Sequence, residues 1–190
     1  MKIYLDAGHG GKDPGSIHPK TRQQEDRTNF NVMLMLAGML TNIGYEVALS
    51  RKRHDEVVPL QDRMDYIRKA KPDVVVSIHH NASSAHNAAG GEVIAQVKKG
   101  QSTRLAESIG RYFEKTGQKM RPIVYKWNSN GTADYYGILR AAAEVGTPAV
   151  ITEYAFIDND ADLARINTYQ KQGEEAAALR DAIRAWWESK

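Results

Sequence analysis

Three apolar runs in this chain stop abruptly on a side chain that can bind a metal or move a proton. Ile3-Tyr4-Leu5-Asp6-Ala7 opens into Gly8-His9-Gly10-Gly11, Val74-Val75-Val76-Ser77-Ile78 runs into His79, and Ala149-Val150-Ile151-Thr152 runs into Glu153. Short apolar runs bounded by turn residues read as buried strands. Because helix-length segments separate them, they predict a mostly parallel sheet with helices on both faces, an α/β fold of three layers. In such sheets ligands gather beyond the carboxyl ends of the strands, so His9, His79 and Glu153 are delivered where chemistry is done.

A length of 190 residues, 42% of them hydrophobic, suits one domain spanning 1–190 with its own core. The net charge of +3 is spread along the chain rather than gathered into a patch, so no nucleic-acid partner is expected. With no cysteine, any zinc site must be built from histidine and carboxylate. The N-terminus enters a strand directly and lacks the apolar core of an export signal, and no run approaches the ~20 apolar residues that span a bilayer.

The pattern between the strands predicts a helix over 29–43 stopped by Gly44, a strand over 46–50, and an amphipathic helix over 59–70. In that helix Leu60, Met64 and Ile67 share the inner face, with Arg63, Arg68 and Lys69 mostly off it. A peripheral strand over 91–97 and a helix over 102–116 follow, then an irregular stretch with a short strand at 123–125. A short strand leading into a helix over 135–144, and closing helices over 160–166 and 169–189, complete the reading.

Glycine after a first strand can cradle phosphate, but the loop fails both patterns. Asp6 and Asp13 break the P-loop spacing, and Asp13 stands where G-x-G-x-x-G needs its third glycine. Gly-His-Gly is better suited to turning the backbone sharply and projecting an imidazole over the sheet edge. A catalytic zinc commonly takes three protein ligands, and two histidines with one carboxylate meet that need. His9 and His79 are the natural nitrogen ligands, with Glu25 the nearest carboxylate on the returning segment; a lone histidine is more often a surface or hydrogen-bonded core residue. His79 and His80 alternate in direction on a strand, so only one can bind the ion. His18, His54 and His86 read as solvent-facing. Glu153, at the end of an apolar strand, must face a polar cavity or a cation, or else pair with an arginine such as Arg140.

These segments resemble the zinc-dependent N-acetylmuramoyl-L-alanine amidases of the amidase-3 type, found in autolysins, in sporulation and germination hydrolases, and in phage endolysins. The similar stretches are Asp6-Ala7-Gly8-His9-Gly10-Gly11-Lys12-Asp13-Pro14-Gly15, Glu25-Asp26-Arg27-Thr28-Asn29-Phe30, Ser77-Ile78-His79-His80-Asn81-Ala82, and Pro148 through Asn159. Their order and spacing run over nearly the whole chain. Ala155 stands where the family usually has glycine, and Asp158 where it often has serine. The resemblance implies a phosphorylase/hydrolase-like fold, one zinc ion on His9, Glu25 and His79, and Glu153 as the catalytic carboxylate. The long polar stretch before Glu25 leaves Asp26 as the alternative ligand, with the register of Asn29-Phe30 favouring Glu25. Nothing in the length accommodates the inhibitory helix of some periplasmic relatives, so an open site is expected.

The implied reaction is cleavage of the amide between N-acetylmuramic acid and the L-alanine of the peptidoglycan stem, with Glu153 first as base and then as acid. A zinc peptidase or deacetylase on the same scaffold, and an inactive wall-binding module, are the alternatives. The rim residues expected to read glycan and peptide are Asn81, the Asn128-Ser129-Asn130 loop, Trp127 and Tyr154. Peptidoglycan is the expected partner and a monomer the expected state. Action is expected at the cell wall, either after endolysin-like release from the cytoplasm or as a domain of an exported protein.

Overall fold

The computed structural model describes all residues, 1–190. Five strands form one sheet in the order β2-β1-β3-β5-β4: β1 (Lys2–Ala7), β2 (Glu46–Leu49), β3 (Val74–Asn81), β4 (Glu92–Ala95) and β5 (Ala149–Phe156). All neighbours run parallel except β4, which joins the edge antiparallel to β5. The connecting helices are α1 (Glu25–Asn42), α2 (Leu60–Ala70), α3 (Gln101–Lys115), α4 (Gly137–Glu144), α5 (Asp160–Leu163) and α6 (Tyr169–Glu188).

Strand alternation sorts the sheet residues into two cores. Ile3, Leu5, Val74, Val76, Ile78 and Val150 face the larger core, which α1, α3 and α6 cover. Tyr4, Val75, Ile94, Ala149 and Ile151 face a smaller core under α2 and α4 only. The same alternation puts His79 and Glu153 on the lightly covered face, at the carboxyl end of the sheet, and His80 on the heavily covered one.

The expected three-layer α/β architecture is therefore present, with differences at its margins. No strand precedes α4, and around 123–125 there is only an isolated bridge, from Val124 to Ile94. Helix α1 starts at Glu25, earlier than the apolar pattern indicates, because its first turns bury polar residues, Glu25, Asp26, Thr28 and Asn29, against the sheet edge. In α2 the expected face is rotated: Leu60 is exposed and Arg63 buried. Arg63 lies inward because its guanidinium pairs with Asp6, at 2.8 Å, and donates to the carbonyls of Ala7 and His9.

Candidate metal centre

Register fixes the row from which the site is built. Beyond the Ala7 to Ile78 pairing, the Gly8 N–H donates to the Ile78 carbonyl, His79 lies beside Glu153, and Glu153 lies beside Glu92 on the edge strand. Gly8 is glycine for a steric reason: a Cβ there would stand 2.1 Å from the imidazole of His79. His9 follows with φ 61°, a left-handed conformation that non-glycine residues seldom adopt. Two buried arginines hold this turn in place. Arg63 donates to the His9 carbonyl at 2.7 Å, and Arg51 to the carbonyls of Gly8 at 3.3 Å and Asp26 at 2.7 Å.

Glu25 reaches the same point from another element. A helix that follows a parallel strand begins at the carboxyl edge of the sheet, so the first residue of α1 arrives beside the β1 loop. Its Oε2 lies 3.2 Å from His9 Nε2 and its Oε1 3.1 Å from His79 Nδ1. One donor atom from each of the three side chains falls within 4.8 Å of the others. The carboxylate also accepts the backbone N–H groups of Ser16 and His80. Gly15, at φ +63°, leaves room for the pair: a Cβ there would stand 2.7 Å from Glu25 Oε2 and from His9 Cδ2. Asp26, the alternative ligand, points elsewhere, its Oδ2 lying 2.7 Å from His54 Nε2.

The electrostatics follow from this crowding. Burial alone would raise the Glu25 carboxyl, but the two imidazoles outweigh it and hold the group well below the usual carboxylate range. Burial would likewise lower His9, yet Glu25 and Asp13 lift it to about 9. Asp13 Oδ2 sits 2.8 Å from His9 Nδ1, which leaves Nε2 as the nitrogen turned toward Glu25 and His79. Glu153 has no such partner. Its Oε2 is buried without a hydrogen bond, Arg140 donates instead to the backbone of Asp134 and Tyr135, and burial pushes the Glu153 carboxyl up to about 7 while His79 pulls the other way.

Two imidazoles and a carboxylate converging from three elements are the donor set that zinc accepts without cysteine. Their donor atoms lie within 4.8 Å of one another, close enough to fit a single ion, and Glu153, paired with His79 in the sheet, leaves its buried Oε2 without a partner. A cleft of about 400 Å³ opens over His9 and His79, walled by Val57 to Leu60, Arg63 and Ile138.

Several expected positions fall otherwise. His18 is buried, not solvent-facing; its Nε2 lies 3.1 Å from Asp160 and its Nδ1 accepts from the 20–21 backbone, because the polar loop folds over it. His86 is exposed, as expected. Tyr154 is no rim residue: it faces the larger core, edge-on to Phe113, with its hydroxyl 2.7 Å from Thr116. Trp127 is half exposed, and Asn128 is occupied with its own turn, accepting from Thr132. Arg51 and Arg63 escaped the sequence reading because a charged residue in a polar loop or an amphipathic helix carries no local sign that it will be buried.

A family model described as N-acetylmuramoyl-L-alanine amidase matches residues 3–185. The endolysin of Bacillus phage SPP1 is 29% identical over 85% of this chain and 57% of its own length. The sporulation-specific N-acetylmuramoyl-L-alanine amidase of Bacillus subtilis is 32% identical over 88% of this chain and 61% of its own. The chain thus spans less than two thirds of these curated relatives. Among solved structures, the catalytic domain of CwlV, an N-acetylmuramoyl-L-alanine amidase from Bacillus (Paenibacillus) polymyxa var. colistinus, superposes with a TM-score of 0.85 at 28% identity, covering 100% of this chain and 99% of that one. The four motifs, the layered sheet and a family match over nearly the full length agree, and the chain belongs to the N-acetylmuramoyl-L-alanine amidase family.

Proposed function

We propose that residues 1–190 form the catalytic domain of a zinc-dependent peptidoglycan hydrolase. It cuts the amide between the lactyl group of N-acetylmuramic acid and the L-alanine of the stem peptide. The observation that carries the reading is the convergence of His9, Glu25 and His79 within 4.8 Å at the sheet edge, in the same row as a Glu153 whose Oε2 has no partner. Zinc held by those three residues would supply Lewis acidity, polarising the scissile carbonyl and making the attacking water a better nucleophile at neutral pH.

The rest is the work of the chain. Glu153, with a carboxyl near neutrality, is suited to take the proton from the attacking water and return it to the departing amine. Asp13 fixes the ring of His9, and Arg63 and Arg51 hold the backbone from which that ring projects. The four functional side chains come from one chain, so a monomer suffices, and the cleft over His9 and His79 is where a polymeric substrate at the cell wall would enter. Digestion of purified peptidoglycan with mass spectrometry of the fragments tests the reading. Free muramic-acid glycan and stem peptides beginning with L-alanine are expected, and the products should vanish with a chelator and return with zinc. Cleavage at another bond, or chelator-resistant cleavage, would refute it.

A further inference from the structure

The covered face of β3 holds a second imidazole–carboxylate pair that this chemistry does not use. His80 and Glu175 are both fully buried, between α1 and α6, with Nε2 of one 3.1 Å from Oε2 of the other. The Nδ1 of His80 lies 2.7 Å from Asn29 Oδ1. Asn29 in turn directs its amide nitrogen to Glu25 Oε1 and to the Gly8 carbonyl, each at 3.3 Å. The chain Glu175, His80, Asn29, Glu25 thus runs from the middle of α6 to the proposed ligand carboxylate.

Donor and acceptor logic gives this chain a direction. A carbonyl and a cation-binding carboxylate can only accept, so the Asn29 NH₂ must face them. That turns its Oδ1 to His80 and requires a proton on His80 Nδ1. His80 Nε2 then faces Glu175 Oε2 at 3.1 Å, so both ring nitrogens have a partner. Glu175 is a poor choice for stability alone. Its Oε1 is buried without a partner, a cost that replacing the pair as a whole by apolar side chains would avoid. What the carboxylate does achieve is to fix the imidazole at both nitrogens.

We propose that Glu175 is a positioning residue for the metal centre, acting through His80 and Asn29 to hold the Glu25 carboxylate in its ligating orientation. The inference rests on the metal-site reading above. Zinc affinity of the whole chain, measured by competition with a chromophoric chelator, tests it in the parent, Glu175→Gln and Glu175→Leu. Glutamine can still donate to His80 Nε2 and should keep near-parental affinity. Leucine leaves His80 Nε2 without a partner and the imidazole free to turn, so it should weaken zinc binding ~10–100-fold, together with a lower unfolding midpoint that Glu175→Gln largely restores.

A folded Glu175→Leu protein with parental zinc affinity would overturn the relay alone, whereas a parent that takes up no zinc would overturn the metal-centre reading itself. If Glu175→Leu does not fold, long-range ¹H–¹⁵N spectra of the parent decide. A proton on His80 Nδ1 supports the relay, and a bare Nδ1 overturns it, because Asn29 would then have to turn its amide away from Glu25.

Discussion

Glu153 and the crowded glycines Gly8 and Gly15, against His79 and against Glu25 and His9, show how little freedom the site leaves its residues. Removing the Glu153 carboxylate should lower the rate of wall hydrolysis by ~10²–10⁴ while leaving zinc in place, since the three ligand side chains are untouched. Turbidity clearing and metal analysis of Glu153→Ala check both halves, and loss of the metal would mean that the role has been misassigned. Gly15→Ala is the opposite case, harmful without removing any functional group. Its Cβ would press on Glu25 and His9, and its φ of +63° is unfavourable for alanine, so weaker zinc binding is expected in a competition titration. The fold should survive, because Gly15 lies in the first loop, outside every strand and helix.

At the scale of elements, the turn after β1 is held by guanidinium groups rather than by apolar packing. Arg63 and Asp6 form a pair that is buried on both sides, and breaking it by Arg63→Ala leaves an uncompensated carboxylate; about 3–5 kcal/mol of stability should be lost in denaturant unfolding. The pair also has a pH signature. Burial would raise Asp6, but Arg63 and Ser77 outweigh it and hold its carboxyl below the ordinary value. Such a depressed group contributes stability above the ordinary aspartate range, ~4, and loses it as pH falls through the native value. The stability gap between the parent and Asp6→Asn should therefore be full at pH 7 and close in acid. A gap that widened in acid would contradict the pairing.

These elements also show what was legible in the sequence and what was not. The strands and most helices could be read because alternation and helical periodicity are written in apolar residues, and His9, His79 and Glu153 stood out because each follows an apolar run, although β3 and β5 continue past His79 and Glu153 to Asn81 and Phe156. The early start of α1 at Glu25 and the burial of Arg51, Arg63, His18 and Glu175 leave no mark in the sequence pattern, for one shared reason. A buried polar residue is defined by partners far along the chain, such as Arg63 by Asp6 and His80 by Glu175, and no local pattern announces a pairing over 57 or 95 residues.

For the whole molecule, the two cores lie on either side of the sheet, and the proposed metal ligands His9, Glu25 and His79 meet at its carboxyl edge. A ligand that binds only the folded state stabilises it by ~2.7 kcal/mol at a hundredfold excess over its Kd. Stripping zinc should then lower the Tm by roughly 5–10 °C for a chain of this size, with the far-ultraviolet circular dichroism unchanged. Complete unfolding on chelation would show the metal to be structural instead. The central claim, one ion on two imidazoles and a carboxylate, is tested most directly by X-ray absorption at the zinc edge on the loaded protein. One zinc per chain with a first shell of nitrogen and oxygen at about 2.0–2.2 Å, its imidazole scattering lost in His9→Ala and His79→Ala, is the expected result. A shell of oxygen alone, or a spectrum indifferent to both substitutions, would contradict the account.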